Sequence, residues 1–271
     1  MKFTVFGSKG FIGSSFCNYL QSQNIECLTP DVRNNKIPTE NLGHVIYAIG
    51  VLDFKQNPMS MINAHVFLLN KILNETNFES FLYLSSTRIY LDALSTNENS
   101  SLIVNPSNFD NTYNISKIMG EMICNISKKQ NIRIVRLSNV VGNNFNSNLS
   151  LPSIIRDAVK NKKISLQTSL DSEKDYVYIN DVLNILQKIS LCGKSSIYNV
   201  ASGQNLNNEK IVKKIQEITG CKLEVIENAK KYSFLPISIE RIQKEFNFEP
   251  TSVLNKFEKI IHTYQNKISN E

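Results

Sequence analysis

Ser86, Tyr113 and Lys117 are the residues of this 271-residue chain whose types and spacing could carry a reaction. Tyr113 and Lys117 read Tyr-x-x-x-Lys. On a helix, residues four apart share one face, so a phenol and an ammonium can point at one place. In a chain with ten tyrosines and many lysines such a pair arises about once by chance, so placement has to carry the argument. The pair lies one strand–helix unit after the segment LSST at 84–87, the order of elements that a hydride-transfer site requires. A ketone that receives hydride becomes an alkoxide and needs a proton as charge develops. An unperturbed phenol, with a pKa of about 10, holds its proton too tightly for exchange near neutrality. A lysine ammonium nearby stabilises the phenolate, by roughly a few kcal/mol in a partly screened site. Ser86 can donate a hydrogen bond to the substrate oxygen, and in the oxidative direction Tyr113 becomes the base.

A second group of residues could hold the partner of that reaction. KFTVF is followed by GSKGFIG, so Gly7, Gly10 and Gly13 stand three apart between a short apolar run and a helical pattern through Phe11, Phe16 and Leu20. A glycine-rich strand-to-helix turn lets the backbone approach a pyrophosphate and aims free N–H groups and a helix dipole at it. Asp31 stands where an acidic residue would bond the adenosine ribose hydroxyls of NAD(H). Lys9 in the turn and Arg33 beyond the second strand could instead meet the 2′-phosphate of NADP(H). The two cations favour NADP(H), with NAD(H) as the alternative.

The elements that must position these groups follow from periodicity. After the glycine turn come a short run at 25–29, HVIYAIGV at 44–51, helical spacing in MINAHVFLLNKIL, the strand FLYLSS, a helix from about 111 to 129, and the strand IRIVRLSNVVG. This alternation predicts βαβ units, and so an α/β chain with a Rossmann-like doubly wound parallel sheet. Ligands sit at the carboxyl ends of such strands, where Gly7, Ala48-Ile49-Gly50, Ser85-Ser86 and Asn139 all fall. Beyond about residue 143 the pattern loosens into a polar loop, a helix and strand at 151–166, the strand and helix of KDYVYINDVLNILQKIS, and the strand IYNVASG. The tail carries three amphipathic stripes: Ile211, Ile215 and Ile218; Ile239, Ile242 and Phe246; Leu254, Phe257, Ile261 and Tyr264. These read as core faces.

Composition excludes several classes. A chain that is 41% hydrophobic and 20% charged is globular, and it contains no apolar run of membrane-spanning length. The net charge of +6 suits a diphosphate substrate. The lysines are dispersed, with no basic block interleaved with aromatics, so nucleic acid is not an expected partner. Five scattered cysteines (17, 27, 124, 192 and 221) without a C-x-x-C predict reduced thiols in a cytoplasmic protein. Three histidines, none spaced to another, predict no metal site.

GSKGFIG at 7–13, YAIG at 47–50, Asn63 before a helix, LSSTRIY at 84–90, YNISK at 113–117, RLSNVVG at 136–142, KDYVYINDV at 174–182 and YNVASG at 198–203 occur in this order along the chain. In this the chain resembles the extended short-chain dehydrogenases/reductases of the NAD-dependent epimerase/dehydratase family that act on nucleotide sugars. The resemblance implies a dinucleotide-binding domain over 1–142 plus about 174–202, interleaved with a smaller C-terminal α/β substrate-binding domain over 143–173 and 203–271. It implies a catalytic set of Ser86, Tyr113 and Lys117, with Lys117 also holding the nicotinamide ribose. Gly7, Lys9, Gly10, Phe11, Ile12, Gly13, Asp31, Val32, Arg33, Ala48, Ile49, Gly50 and Asn63 would line the cofactor, Asp31 and Val32 matching a pair placed against adenine. Ser86, Thr87, Tyr113, Asn139 and Lys174 would face the substrate, Lys174 standing where many relatives carry the arginine of an Arg-Asp-Tyr motif. A homodimer through a four-helix contact that includes the Tyr113 helix is also implied.

Departures from the family pattern narrow the chemistry. Related 4,6-dehydratases carry Asp-Glu directly after the serine; here Thr87 and Arg88 stand there and cannot supply acid and base for eliminating water. Relatives that epimerise twice use a cysteine near the serine and a histidine in the following domain. This chain has no cysteine near Ser86 and no histidine in the loop after Val141. The expected activity is reduction of a nucleotide-linked 4-keto sugar, 6-deoxy sugars included, in surface polysaccharide or glycan precursor synthesis. The alternatives are a sugar-nucleotide 4-epimerase with tightly bound NAD and a non-catalytic dinucleotide sensor.

Overall fold

The computed structural model describes residues 1–33, 37–51, 57–147 and 149–269. Asn34, which closes the PDVRN segment, and Asn148 of the polar loop lie outside the described residues. The chain divides into two units.

The first unit comprises Met1–Leu137, Val182–Val200 and Ile239–Phe248. Its six strands are β1 (Lys2–Phe6), β2 (Glu26–Leu28), β3 (His44–Tyr47), β4 (Ser80–Ser86), β5 (Ile132–Leu137) and β9 (Ile197–Val200), in the order β2-β1-β3-β4-β5-β9 and all parallel. The central strands are apolar on both faces: Phe3, Val5 and Phe6, then Val45, Ile46 and Tyr47, then Phe81, Leu82 and Tyr83 are fully buried. Such runs are the signature of a parallel sheet covered on both sides. The helices are α1 (Phe11–Ser22), α2 (Pro58–Ile62), α3 (Leu68–Glu75), α4 (Thr112–Ile126), α6 (Ile179–Cys192), which begins in the second unit, and α8 (Glu240–Phe246). Between α2 and α3 the helix widens into a π turn over Asn63–Phe67, where the Tyr47 hydroxyl donates to the Ala64 carbonyl. A side chain inserted into the helical ladder is a recognised cause of such a turn. Strand order reverses between β1 and β3, so the glycine turn and Ala48–Gly50 both lie at the switch point of the sheet.

The second unit comprises Ser138–Asp181, Ala201–Ser238 and Glu249–Glu271. It holds a three-stranded sheet, β10 (Asn205–Asn207), β8 (Glu173–Tyr178) and β6 (Asn139–Val141), and a parallel pair, β7 (Lys163–Thr168) with β11 (Lys222–Lys230). Helices α5 (Ser150–Lys160), α7 (Asn208–Thr219) and α9 (Phe257–Ser269) pack on one another. They do so through Ile154 and Ile155, Ile211 and Ile215, and Phe257 and Ile261, all buried. Phe145 stacks on Tyr264 at 4.4 Å.

The unit boundaries differ from those expected. IRIVRLSNVVG is two strands, because Ser138 turns its hydroxyl onto Asp175 and the chain leaves β5 for the small sheet. KDYVY belongs to that small sheet, so the return to the first unit starts at Val182, not near 174. The middle stripe of the tail, α8, packs on β9 in the first unit. Glu245 accepts from the Tyr198 hydroxyl at 2.8 Å and from the Lys194 N–H at 2.7 Å, and Arg241 donates to the Ile197 carbonyl at 2.6 Å. Strands β10 and β11 were not expected. Among the described residues no helix is long and apolar enough to cross a membrane.

Candidate active site

The glycine turn is built for close approach. Gly7 has φ +89°, and a Cβ there would sit 2.7 Å from the Ala48 carbonyl carbon, while one on Gly13 would strike the Gly7 carbonyl. The Gly10 N–H donates to the Gly7 carbonyl at 3.0 Å and closes the turn. Gly10 is also the N-cap of α1, so no side chain caps that helix, and its first turn has no carboxylate. A helix N-terminus left open beside bare backbone fits a pyrophosphate, so these residues fit a dinucleotide. Phe11 and Ile12 open α1 and are partly buried, as are Ala48 and Ile49; Gly50 is exposed.

Beyond β2 the structure brings three expected residues together. Asp31 accepts from the Arg33 Nε at 2.9 Å and from its backbone N–H at 3.1 Å, and the Lys9 ammonium lies 3.5 Å away. The Arg33 guanidinium and its N–H, with a smaller contribution from Lys9, hold the Asp31 carboxyl well below the usual range. All three are exposed, whereas Val32 between them is buried in the core beside Phe6 and Tyr47. Asn63 is exposed at the start of the π turn.

The expected catalytic set also lies in the first unit. Ser86 ends β4, where its Oγ accepts from the Arg88 N–H at 3.2 Å and caps a 3-10 turn over Thr87–Tyr90. Tyr113 stands in the first turn of α4 and Lys117 in the next. Burial pushes the Tyr113 phenol up; a hydrogen bond with Ser86, and the Arg88 charge, pull it back down. The Arg88 Cζ lies 6.0 Å from the Tyr113 ring centroid. The acidifying cation expected from the sequence is Lys117; the one that acts on the phenol here is Arg88, for which the sequence carried no signal. Lys117 is buried and donates to the Leu84 carbonyl at 2.9 Å, with its Nζ 5.1 Å from the Tyr83 ring centroid. Burial pushes the Lys117 ammonium down to about 7, against the opposing charge of Glu121.

Glu121 and His65 carry this arrangement, and neither was picked out beforehand. One turn after Lys117, Glu121 accepts from the Ser85 hydroxyl at 2.6 Å and pairs with the Arg136 guanidinium at 2.6 Å, both partners being buried. Arg136 also donates to the Tyr90 hydroxyl at 2.6 Å and the Glu98 carbonyl at 3.1 Å. Helix α4 is thereby fastened to β4 and β5 beside Ser86. On its other side the fully buried His65 shares a 2.9 Å hydrogen bond between its Nδ1 and the Ser116 hydroxyl. It packs edge-on against the Tyr113 ring at 5.8 Å. Burial, with the Lys117 charge, pushes the His65 imidazole down to about 2, so it is neutral. Gly120 permits the close seat of α4, since a Cβ there would lie 2.6 Å from the Tyr83 ring. The i, i+4 step from Lys117 to Glu121 was the one signal available for Glu121.

Of the three expected substrate residues outside this set, Thr87 opens the 3-10 turn in the first unit, and Asn139 and Lys174 lie in the second. Asn139 is exposed on β6 and donates to the Asp175 carbonyl at 2.8 Å. Lys174 is partly buried on β8, its Nζ 5.9 Å from the Phe234 ring centroid. Between them Asp175 is buried and bonded to Ser138 and, at 2.8 Å, to the Ser202 hydroxyl, so it is a structural hub.

A doubly wound parallel sheet, a glycine turn at its switch point and a Ser–Tyr–Lys set on the following units define a dinucleotide-dependent enzyme of the Rossmann class. The chain belongs to the NAD-dependent epimerase/dehydratase family, whose model matches residues 55–201. It is 23% identical to a UDP-glucose 4-epimerase of Mycoplasma genitalium, over 98% of this chain and 91% of that protein. It is 26% identical to a GDP-6-deoxy-D-mannose reductase of Pseudomonas aeruginosa, over 55% and 52% of the respective lengths. The solved structure of RMD from Pseudomonas aeruginosa complexed with NADPH superposes with a TM-score of 0.78 at 19% identity, covering 98% of this chain and 99% of that one. At that identity the last likeness speaks for the fold alone.

Proposed function

We propose that this enzyme is an NADPH-dependent ketoreductase that reduces a 4-keto sugar, 6-deoxy sugars included, carried on a nucleoside diphosphate. The observation that carries this reading is the pair of cations, Lys9 and Arg33, gathered on Asp31 beyond β2. One carboxylate against two cations leaves a net positive charge where a 2′-phosphate would lie. A freely exchanged NADPH suits a net reduction. Gly7, Gly10 and Gly13 would hold the pyrophosphate, Asp31, Val32 and Arg33 the adenosine, and Asn63 and Lys117 the nicotinamide side. When bound, the cofactor supplies the hydride.

The chain's own residues supply the proton and the position. The Ser86 hydroxyl, now bonded to Tyr113, would turn its O–H to the substrate carbonyl and bring that oxygen to the phenol. Tyr113 delivers its proton to the developing alkoxide, and Arg88 and Lys117 favour the phenolate left behind. Thr87 and Arg88 in place of an acidic pair leave no group to expel water, which argues against dehydration. Asn139 and Lys174 would meet the sugar or its phosphates. Met119, Met122 and Ile126 are exposed along α4 and Phe67 on the adjoining π turn, which supports a homodimer through this face, in a cytoplasmic protein.

The likeness over nearly the whole chain to a UDP-glucose 4-epimerase favours 4-epimerisation as the second reading. Supplying a nucleotide-linked 4-keto sugar together with NADPH separates the two. The ketoreductase consumes one NADPH for each sugar reduced. An epimerase interconverts isomeric nucleotide sugars with no net change in absorbance, and that result would replace the first reading by the second. A dinucleotide sensor would do neither.

A further inference from the structure

Of the five cysteines, two that are far apart in type of element lie together in space. Cys17 sits midway along α1 and Cys27 on β2, with their sulfurs 3.4 Å apart. The approach is fixed locally. The Gln23 and Ile25 N–H groups both donate to the Leu20 carbonyl, and Asn24 takes a left-handed φ of 55°. That turn sends the chain back along the helix it has just left. Both thiols are partly exposed, unlike the buried Cys124 and Cys221. The Cys27 S–H donated to Cys17 holds the Cys17 thiol below its ordinary range, although burial works against it. The same bond, with burial, pushes the Cys27 thiol up. One sulfur is thus prepared as a nucleophile and the other waits beside it.

We propose that Cys17 and Cys27 form a two-thiol modification site that reacts with low-molecular-weight disulfides. Cys17 thiolate attacks one sulfur of the reagent, forming a mixed disulfide and expelling the first thiolate. Cys27 then gives up its proton and attacks the Cys17 sulfur, expelling the second thiolate. The protein is oxidised by two electrons, the reagent is reduced to two thiols, and the two cysteine protons pass to those thiols or to solvent. A disulfide needs its sulfurs about 2.05 Å apart, so side-chain rotation has roughly an ångström and a half to close. The bond would staple α1, which follows the glycine turn, to the strand that runs into Asp31.

The test uses the full chain with Cys192→Ser, which removes the exposed thiol on α6, and equimolar 5,5′-dithiobis(2-nitrobenzoate). Trypsin cuts after Lys9 and Arg33, so both cysteines fall on the single peptide Gly10–Arg33. The expected result is release of about two thionitrobenzoates per reagent molecule, with that peptide about 2 Da lighter and restored by dithiothreitol. With Cys27→Ser added, the same peptide keeps the mixed disulfide on Cys17 and about one thionitrobenzoate is released. A wild-type peptide that carries the adduct, or one left unmodified while Cys192 of the parent protein is fully labelled, overturns the proposal. The readout needs neither dinucleotide nor sugar, so it stands apart from the reading of the active site.

Discussion

Glu121 with Arg136 and Asp31 with Arg33 are the same chemical pair, a carboxylate against a guanidinium, in opposite surroundings. The first is buried between α4, β4 and β5, with both side chains about 5% exposed. The second lies in solvent beyond β2, with exposures of 48% and 71%. Burial makes the first pair unforgiving, since removal of either partner leaves a buried charge without its counter-ion. Exposure makes the second adjustable, because water takes over whatever the partner gave. The buried pair holds α4; the exposed one, on the proposed reading, would meet a charged ligand.

That contrast can be broken by substitution. Glu121→Gln leaves Arg136 uncompensated and should cost about 3–5 kcal/mol of unfolding free energy. Asp31→Asn should leave the unfolding midpoint in denaturant where it was. Equal losses in urea titrations of the two variants would show that burial does not separate the pairs.

The next largest effect is an acid limb set by His65. Its folded pKa of about 2 lies below the ordinary 6.5, so between those values the unfolded chain binds a proton that the folded chain refuses. Stability should therefore fall as pH drops below 6.5, by about 1.4 kcal/mol per unit from this group. Lys117, held near 7, acts with the same sign higher up, stability rising with pH from about 7 towards its ordinary value. His65→Gln should flatten the acid limb in denaturation series between pH 7 and 5. An unchanged slope would place the acid sensitivity elsewhere.

The smallest effect sharpens the exposed half. Arg33→Ala should weaken NADPH binding on the order of tenfold and leave NADH binding nearly unchanged. Fluorescence titration with both dinucleotides reads the difference. Equal losses for the two would assign Arg33 to the shared part of the cofactor.

What could be read from the sequence was local. Glycines three apart, apolar runs of strand length and a Tyr–Lys step of four residues each lie within one element or one turn, and they lead directly to β1, α1, β4 and α4. The partners of Glu121 are another matter. Ser85 and Arg136 stand 36 and 15 residues away, and only the register of β4 on β5, which sets Ser85 opposite Arg136, brings them together. Cys17 and Cys27 were read as scattered because ten residues hide a turn that reverses the chain. The break at Ser138 was invisible because apolar residues continue on either side of it, and a buried hydrogen bond to Asp175 decides where the strand ends. Helix α8 carries the same kind of apolar stripe as α7 and α9. Its polar contacts through Glu245 and Arg241, together with Phe246 against the Tyr198 ring, place it on β9.

The central claim is that a phenol on α4 delivers the proton while the dinucleotide is held by other residues. Tyr113→Phe tests it most directly, assayed for turnover of a nucleotide-linked 4-keto sugar and for NADPH binding in the same preparation. The account predicts a fall in kcat of about 10²–10⁴ with NADPH affinity kept within about twofold. Turnover within a factor of two of the wild type would contradict it.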